Sequence, residues 1–163
     1  MIRCVFFDRD GTLGTLSDVR YPQTITYFPD ARETIRALHE RGIKAMIATN
    51  QSSIARGTGA GYDFDGEFRF LGADDWFICP HDNQDGCDCR KPATGLLRRA
   101  LEKYHWSGGE CAMVGDRETD ILCGERMGMF TVLLSPQREC TFATRPKAII
   151  SSLSELLQVL PTD

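Results

Sequence analysis

Short, continuously apolar runs alternate along this chain with stretches in which apolar residues return every three or four positions. The runs at residues 2–7, 43–49, 76–78, 111–114 and 130–134 read as strands buried on both faces, and 147–150 adds a short edge strand. Ala31, Ile35 and Leu38 form a helical stripe; Asp30 and Glu33 have capping-box spacing ahead of it, and Gly42 marks its end. Leu96, Leu97, Ala100, Leu101 and Tyr104 repeat the stripe after Pro92, which suits a first helical turn. Ile121, Leu122 and Met127 predict a helix ending near Gly128, and Leu153, Leu156, Leu157 and Leu160 a final one. Residues 13–28 read as a polar loop. Residues 57–66 carry four glycines in ten positions and read as a flexible loop without the spacing of a phosphate cradle. Phe64, Phe68 and Leu71 allow two turns of helix, which Gly66 weakens. Strand and helix alternate from end to end, so the expected fold is α/β, a central parallel sheet between helical layers. No repeat or linker divides residues 1–163, and a single domain is expected.

Composition changes this picture little and excludes a good deal. A hydrophobic share of 42% with 26% charged residues suits a globular domain of this size. The net charge of −4 argues against a partner bound through a phosphate backbone, so no nucleic acid is expected. No apolar run approaches the ~20 residues of a membrane span, and Asp8 comes too early for a secretion signal. The expectation is a cytoplasmic monomer acting on a small molecule.

The chemistry collects at strand ends. The first run stops abruptly at Asp8-Arg9-Asp10-Gly11-Thr12, where two acids at i and i+2 can point into one crevice. One could attack as a nucleophile while the other moves protons; both could equally be metal ligands, and a lone pair of this kind is often only an acidic corner. The second run ends in Thr49-Asn50-Gln51-Ser52, Arg90-Lys91-Pro92 precedes a helical stripe, and Cys111–Gly115 leads into Asp116-Arg117-Glu118-Thr119-Asp120. Aspartates, a hydroxyl, a lysine and further aspartates in this order resemble the four signature motifs of the haloacid dehalogenase-like (HAD) phosphohydrolase superfamily. The resemblance spans nearly the whole chain and implies a three-layer Rossmann-like fold. It implies Asp8 as nucleophile through an aspartyl-phosphate, and Asp10 as the acid and then base. It also implies Thr49, Asn50 and Lys91 as phosphate ligands. Mg²⁺ would be held by Asp8, Asp116 and the backbone carbonyl of Asp10. Asp120, one helical turn beyond Asp116, is expected in an outer shell or simply favours the helix dipole.

Seven cysteines also need an account. Cys4, Cys111 and Cys123 sit in apolar patterns and read as core residues. Cys79, His81, Cys87 and Cys89 lie within eleven residues, a spacing that can close a tetrahedron around Zn²⁺. With every position filled by protein the zinc would be structural, stapling the loop into Arg90 and Lys91; the alternatives are a labile disulfide or a reduced loop. This loop, on a chain too short for a cap domain, resembles the capless subfamily III branch. That branch includes heptose-bisphosphate and histidinol-phosphate phosphatases. Residues 49–57 are similar to the heptose enzymes' motif, with Ser53 in place of a glycine, while the short zinc loop and residues 115–120 lean towards the histidinol-phosphate enzymes. The implied activity is hydrolysis of a small phosphorylated metabolite, a heptose bisphosphate or related sugar phosphate. Histidinol phosphate and a non-catalytic phospho-ligand module remain alternatives. Arg56 and Arg90 are candidates for a second phosphate or carboxylate, or plain surface arginines.

Overall fold

The computed structural model describes residues 1–16 and 25–162. Its centre is a six-stranded sheet in which every neighbouring pair is parallel. The strands are β1 (Cys4–Phe7), β4 (Lys44–Asn50), β5 (Asp75–Cys79), β6 (Cys111–Gly115), β7 (Phe130–Leu134) and β8 (Ala148–Ile150), in the order β5-β4-β1-β6-β7-β8. Strand β1 is buried throughout because successive side chains feed two different cores. Val5 and Phe7 join one cluster with α1 (Ala31–Glu40) and α2 (Phe64–Leu71). Cys4 and Phe6 join the other with α3 (Gly95–Tyr104) and α4 (Glu118–Arg126). The predicted three-layer α/β sandwich is therefore present.

The chain leaves β1 for β4 and β5 on one side, then crosses over to β6 on the other. The order reverses at β1, and a parallel sheet opens a crevice beyond its strand ends at such a point. Asp8, Thr49 and Asp116 all stand there.

Several local expectations are corrected. The stretch 13–28 is not only loop: Gly14–Leu16 (β2) pairs antiparallel with Ile25–Tyr27 (β3), and the expected loop residues 17–24 lie outside the described residues. Asp30 precedes α1 without capping it; its carboxylate accepts from the Ser154 amide at 2.9 Å instead. Pro92 is not in the first turn of α3, which starts at Gly95 after Thr94, and it follows a cis peptide bond. The last helix shrinks to a 3-10 turn at Leu153–Glu155 and one α-helical turn at Leu156–Val159 (α5). Gly42 and Gly128 take positive φ just past α1 and α4, as predicted helix stops should. Phe64 and Phe68 pack in the core, with the Trp76 ring 5.9 Å from that of Phe68 and tilted 54° to it. Among the described residues no helix is long and apolar enough to cross a membrane, and no separate cap domain follows β1 or β4.

Candidate active site

The turn after β1 is shaped by what lies above it. Asp8 continues the ladder by donating its amide to Val114 at 3.1 Å, and the chain then folds back, with Leu13 donating to the Arg9 carbonyl at 3.0 Å. Gly11 has φ of +81°, and a Cβ there would come within 2.2 Å of Asp116 Oδ2. Only glycine lets the Asp8–Thr12 turn approach the carboxylate that follows β6. Thr12 Oγ1 then donates to Asp116 Oδ1 at 3.3 Å.

Lys91 is buried between two of these acids, with its ammonium 2.7 Å from Asp120 Oδ1 and 3.0 Å from Asp8 Oδ1. Burial works against its charge, but Asp120 and Asp8 outweigh it and hold the ammonium above the usual lysine range. Asp120 is more than an occupant of a first helical turn. It is almost completely buried, and its second oxygen accepts from the Arg117 amide at 3.1 Å. Burial and the nearby Asp8 push the Asp120 carboxyl up despite Lys91. Burial and Asp8 likewise push Asp116 up.

Carboxylate oxygens of Asp8, Asp116 and Asp120 lie within 4.8 Å of one another. Three acids face one ammonium, and a divalent oxygen-seeking cation would relieve the remaining repulsion. The donor set fits Mg²⁺.

Thr49 is fully buried, its Oγ1 accepting from Gln51 Nε2 at 3.0 Å. Asn50 grips the backbone of Lys91 from both sides, donating to its carbonyl at 3.1 Å and accepting from its amide at 2.9 Å. The Lys91 loop is thereby tied to the end of β4. Asp8, Asp10, Lys91, Arg56, Arg90 and Arg117 all border a cavity of about 260 Å³. Arg90 donates to the His81 carbonyl at 3.3 Å, whereas Arg56 is committed to Asp82 through two 2.7 Å contacts.

Sequence reasoning passed over Arg9, Gln51, Glu67 and Arg117. Arg9 is completely buried and donates to Asp10 Oδ1 at 2.7 Å and to both oxygens of Glu67 at 2.7 Å. Gln51 Nε2 donates to the other Asp10 oxygen at 2.9 Å. Gln51 and Arg117 lie inside quoted motifs and could have been picked out by adjacency; Glu67, 58 positions from Arg9, left no such signal.

The four cysteine-cluster donors do converge. Cys89 Sγ lies 3.2 Å from both Cys79 Sγ and His81 Nδ1, and Cys79 Sγ lies 3.6 Å from Cys87 Sγ. Bonds of about 2.3 Å to a tetrahedral ion put donor atoms at roughly such spacings. Burial resists ionisation of Cys87, yet the Cys89 and Arg90 amides aimed at its sulfur prevail and bring it down to about 6. Burial and the neighbouring Cys89 sulfur push Cys79 up to about 12. The four donors lie within 4.8 Å of one another, and the cluster is metal-capable.

Acids and a lysine gathered at the switch point of a parallel sheet define an α/β enzyme with a carboxylate-centred site. Residues 15–128 match the family described as haloacid dehalogenase-like hydrolase, and the chain belongs to that family. A D-glycero-beta-D-manno-heptose-1,7-bisphosphate 7-phosphatase of Pseudomonas aeruginosa is 36% identical over 132 residues, 72% of either chain. A D-glycero-alpha-D-manno-heptose-1,7-bisphosphate 7-phosphatase of Photorhabdus laumondii is 31% identical, covering 93% of this chain and 92% of its own length. The crystal structure of a D,D-heptose 1,7-bisphosphate phosphatase from B. bronchiseptica, complexed with magnesium and phosphate, superposes with a TM-score of 0.80. The two are 26% identical, over 96% of this chain and 99% of that one.

Proposed function

We propose that this chain is a Mg²⁺-dependent phosphomonoesterase that removes the 7-phosphate of a D-glycero-D-manno-heptose 1,7-bisphosphate. The observation that carries the reading is the meeting of Asp8, Asp10, Lys91 and Asp116 at one crevice, in a chain whose relatives are named for that reaction. Asp8 attacks phosphorus, and its carboxylate oxygen forms a bond as the bond to the sugar oxygen breaks. Asp10 gives the departing oxygen a proton. It then takes one from the water that attacks the aspartyl-phosphate, which frees Asp8 and inorganic phosphate. Lys91 balances charge on the transferring group, with the Thr49 hydroxyl and Asn50 beside it. Mg²⁺ would be held by Asp8, Asp116 and the Asp10 carbonyl, backed by Asp120, and would supply further positive charge at the phosphoryl oxygens. A bisphosphate carries a second dianion, and Arg90, Arg117 and Arg56 ring the same cavity.

Zn²⁺ bound by Cys79, His81, Cys87 and Cys89 would be structural, since no coordination position stays open for water. Three metal-bound thiolates and four further cysteines suit a reducing compartment, and a cytoplasmic monomer is our reading.

The test is phosphate release by purified protein with Mg²⁺ from both anomers of the heptose bisphosphate, from histidinol phosphate and from nucleotides. The heptose substrate should be strongly preferred, and Asp8→Asn should cost roughly three orders of magnitude or more in turnover. A preference for histidinol phosphate would move the enzyme to that branch. Wild-type activity no higher than that of Asp8→Asn would identify a binding module instead.

A further inference from the structure

The phosphatase reading requires Asp10 to hold one orientation through two opposite proton transfers, and the structure contains an unexpected device for this. Arg9 lies between Asp8 and Asp10 in sequence but turns away from the crevice into the protein, where it is completely buried. Its Nη1 donates to Asp10 Oδ1 at 2.7 Å. Its Nε and Nη2 donate to the two oxygens of Glu67 on α2, each at 2.7 Å. Tyr62 donates its hydroxyl to Glu67 Oε1 at 2.6 Å, and the guanidinium carbon lies 5.9 Å and 5.5 Å from the ring centres of Tyr62 and Phe64. The Glu67 side chain is only 7% exposed.

A buried ion pair is a poor way to gain stability, because desolvation consumes most of the attraction and apolar residues of similar volume serve as well. What a planar fork does supply is direction: three N–H donors fixed in one plane set the position of every oxygen they meet. Two donors anchor Arg9 on Glu67, and a third presents a fixed contact to one oxygen of Asp10. Gln51 holds the other oxygen at 2.9 Å. Both carboxylate oxygens of Asp10 are thus held from behind, by β4's end on one side and α2 on the other.

We propose that Glu67, acting through Arg9, is the positioning residue that fixes the Asp10 carboxylate for proton transfer. The inference rests on the phosphatase reading and extends it to an element 58 residues from the catalytic turn. It assigns a purpose to the short helix that stands beside the glycine-rich loop.

The role separates from simple structural support by leaving group. A sugar alkoxide needs a proton to depart, whereas 4-nitrophenolate leaves without one. Glu67→Gln and Arg9→Lys should therefore slow the first turnover of the sugar phosphate by roughly 10- to 100-fold. The first-turnover burst of 4-nitrophenol from 4-nitrophenyl phosphate should change less than about threefold. Arg9→Lys retains the buried cation but lacks the fork, so it carries the comparison if Glu67→Gln fails to fold. Equal slowing of both substrates, or no slowing of either, overturns the positioning role. Wild-type protein that releases phosphate from neither substrate instead refutes the underlying phosphatase reading.

Discussion

Asp74 shows how a single side chain can hold a sheet edge together. Its carboxylate accepts from the Ala45 amide at 2.9 Å and pairs with His39 at 2.8 Å and Lys44 at 3.2 Å, joining α1, β4 and the entry to β5. Burial opposes its charge, but the Ala45 amide, His39 and Lys44 together hold the carboxyl below the usual range. A depressed pKa in the folded state contributes stability above the unfolded value of about 4, and that contribution is lost as pH falls through the folded value. Asp74→Asn should cost about 1 kcal/mol at pH 7, a figure that allows for solvent screening of a partly exposed group. Urea titrations from pH 7 down to 3 should show the gap between variant and wild type closing below pH 4. A gap independent of pH would mean that the lost interaction is not ionic. At this scale the acids and the lysine of the crevice were readable, because each stands directly after an apolar run. Glu67 was not, because nothing in a polar helical position says which buried cation it meets.

Among the elements, α2 departs furthest from what local propensity suggests. Gly66 in an eight-residue helix reads as a weakness worth about 1 kcal/mol relative to alanine. In the fold it is the third helical residue, and its amide is capped by the Asp63 carboxylate at 2.8 Å. A Cβ at position 66 would lie 2.2 Å from Asp63 Oδ2, so alanine gains propensity only by expelling the cap. Gly66→Ala should therefore fail to stabilise, ending between neutral and about 1 kcal/mol worse. In an Asp63→Ala background, where no cap remains, the same change should raise Tm by about 2–4 °C. A stabilising effect of equal size in both backgrounds would show that the cap is not coupled to Gly66. The sheet strands and the three longest helices were legible because their apolar periods run unbroken. The β2–β3 hairpin was not, since three-residue strands carry too little pattern to separate from loop. Pro92 misled for a related reason: its fixed φ suits a helix start, but its position was set by the Lys91 loop.

Across the whole molecule the cysteine cluster links fold and chemistry. It pins the end of β5 through Cys79 to the segment that enters Lys91, while Asn50 clamps Lys91 from β4 and the Gly95 amide bonds back to the Asp88 carbonyl at 2.8 Å. The lysine that faces Asp8 is thus positioned by three separate anchors, only one of which depends on a metal. Loss of zinc should loosen this loop and the rim of the core that Cys79 and Cys89 share with Leu96 and Leu97, while the opposite core, which contains none of the four donors, keeps the sheet folded. Cys89→Ser should drop zinc from one ion per chain to near zero and remove several kcal/mol, or about 10 °C in Tm. Turnover should fall because Lys91 is no longer held against Asp8, while Asp8 and Asp116, backed by Asp120, should keep their capacity for Mg²⁺. Cys140→Ser, at a thiol outside the cluster, should retain full zinc and wild-type melting. Metal analysis of protein purified without chelator, paired with thermal melts of the two variants, decides the point. Wild-type protein without zinc would remove the staple, and Lys91 would then be held by Asn50, the Gly95–Asp88 bond and its own ion pairs.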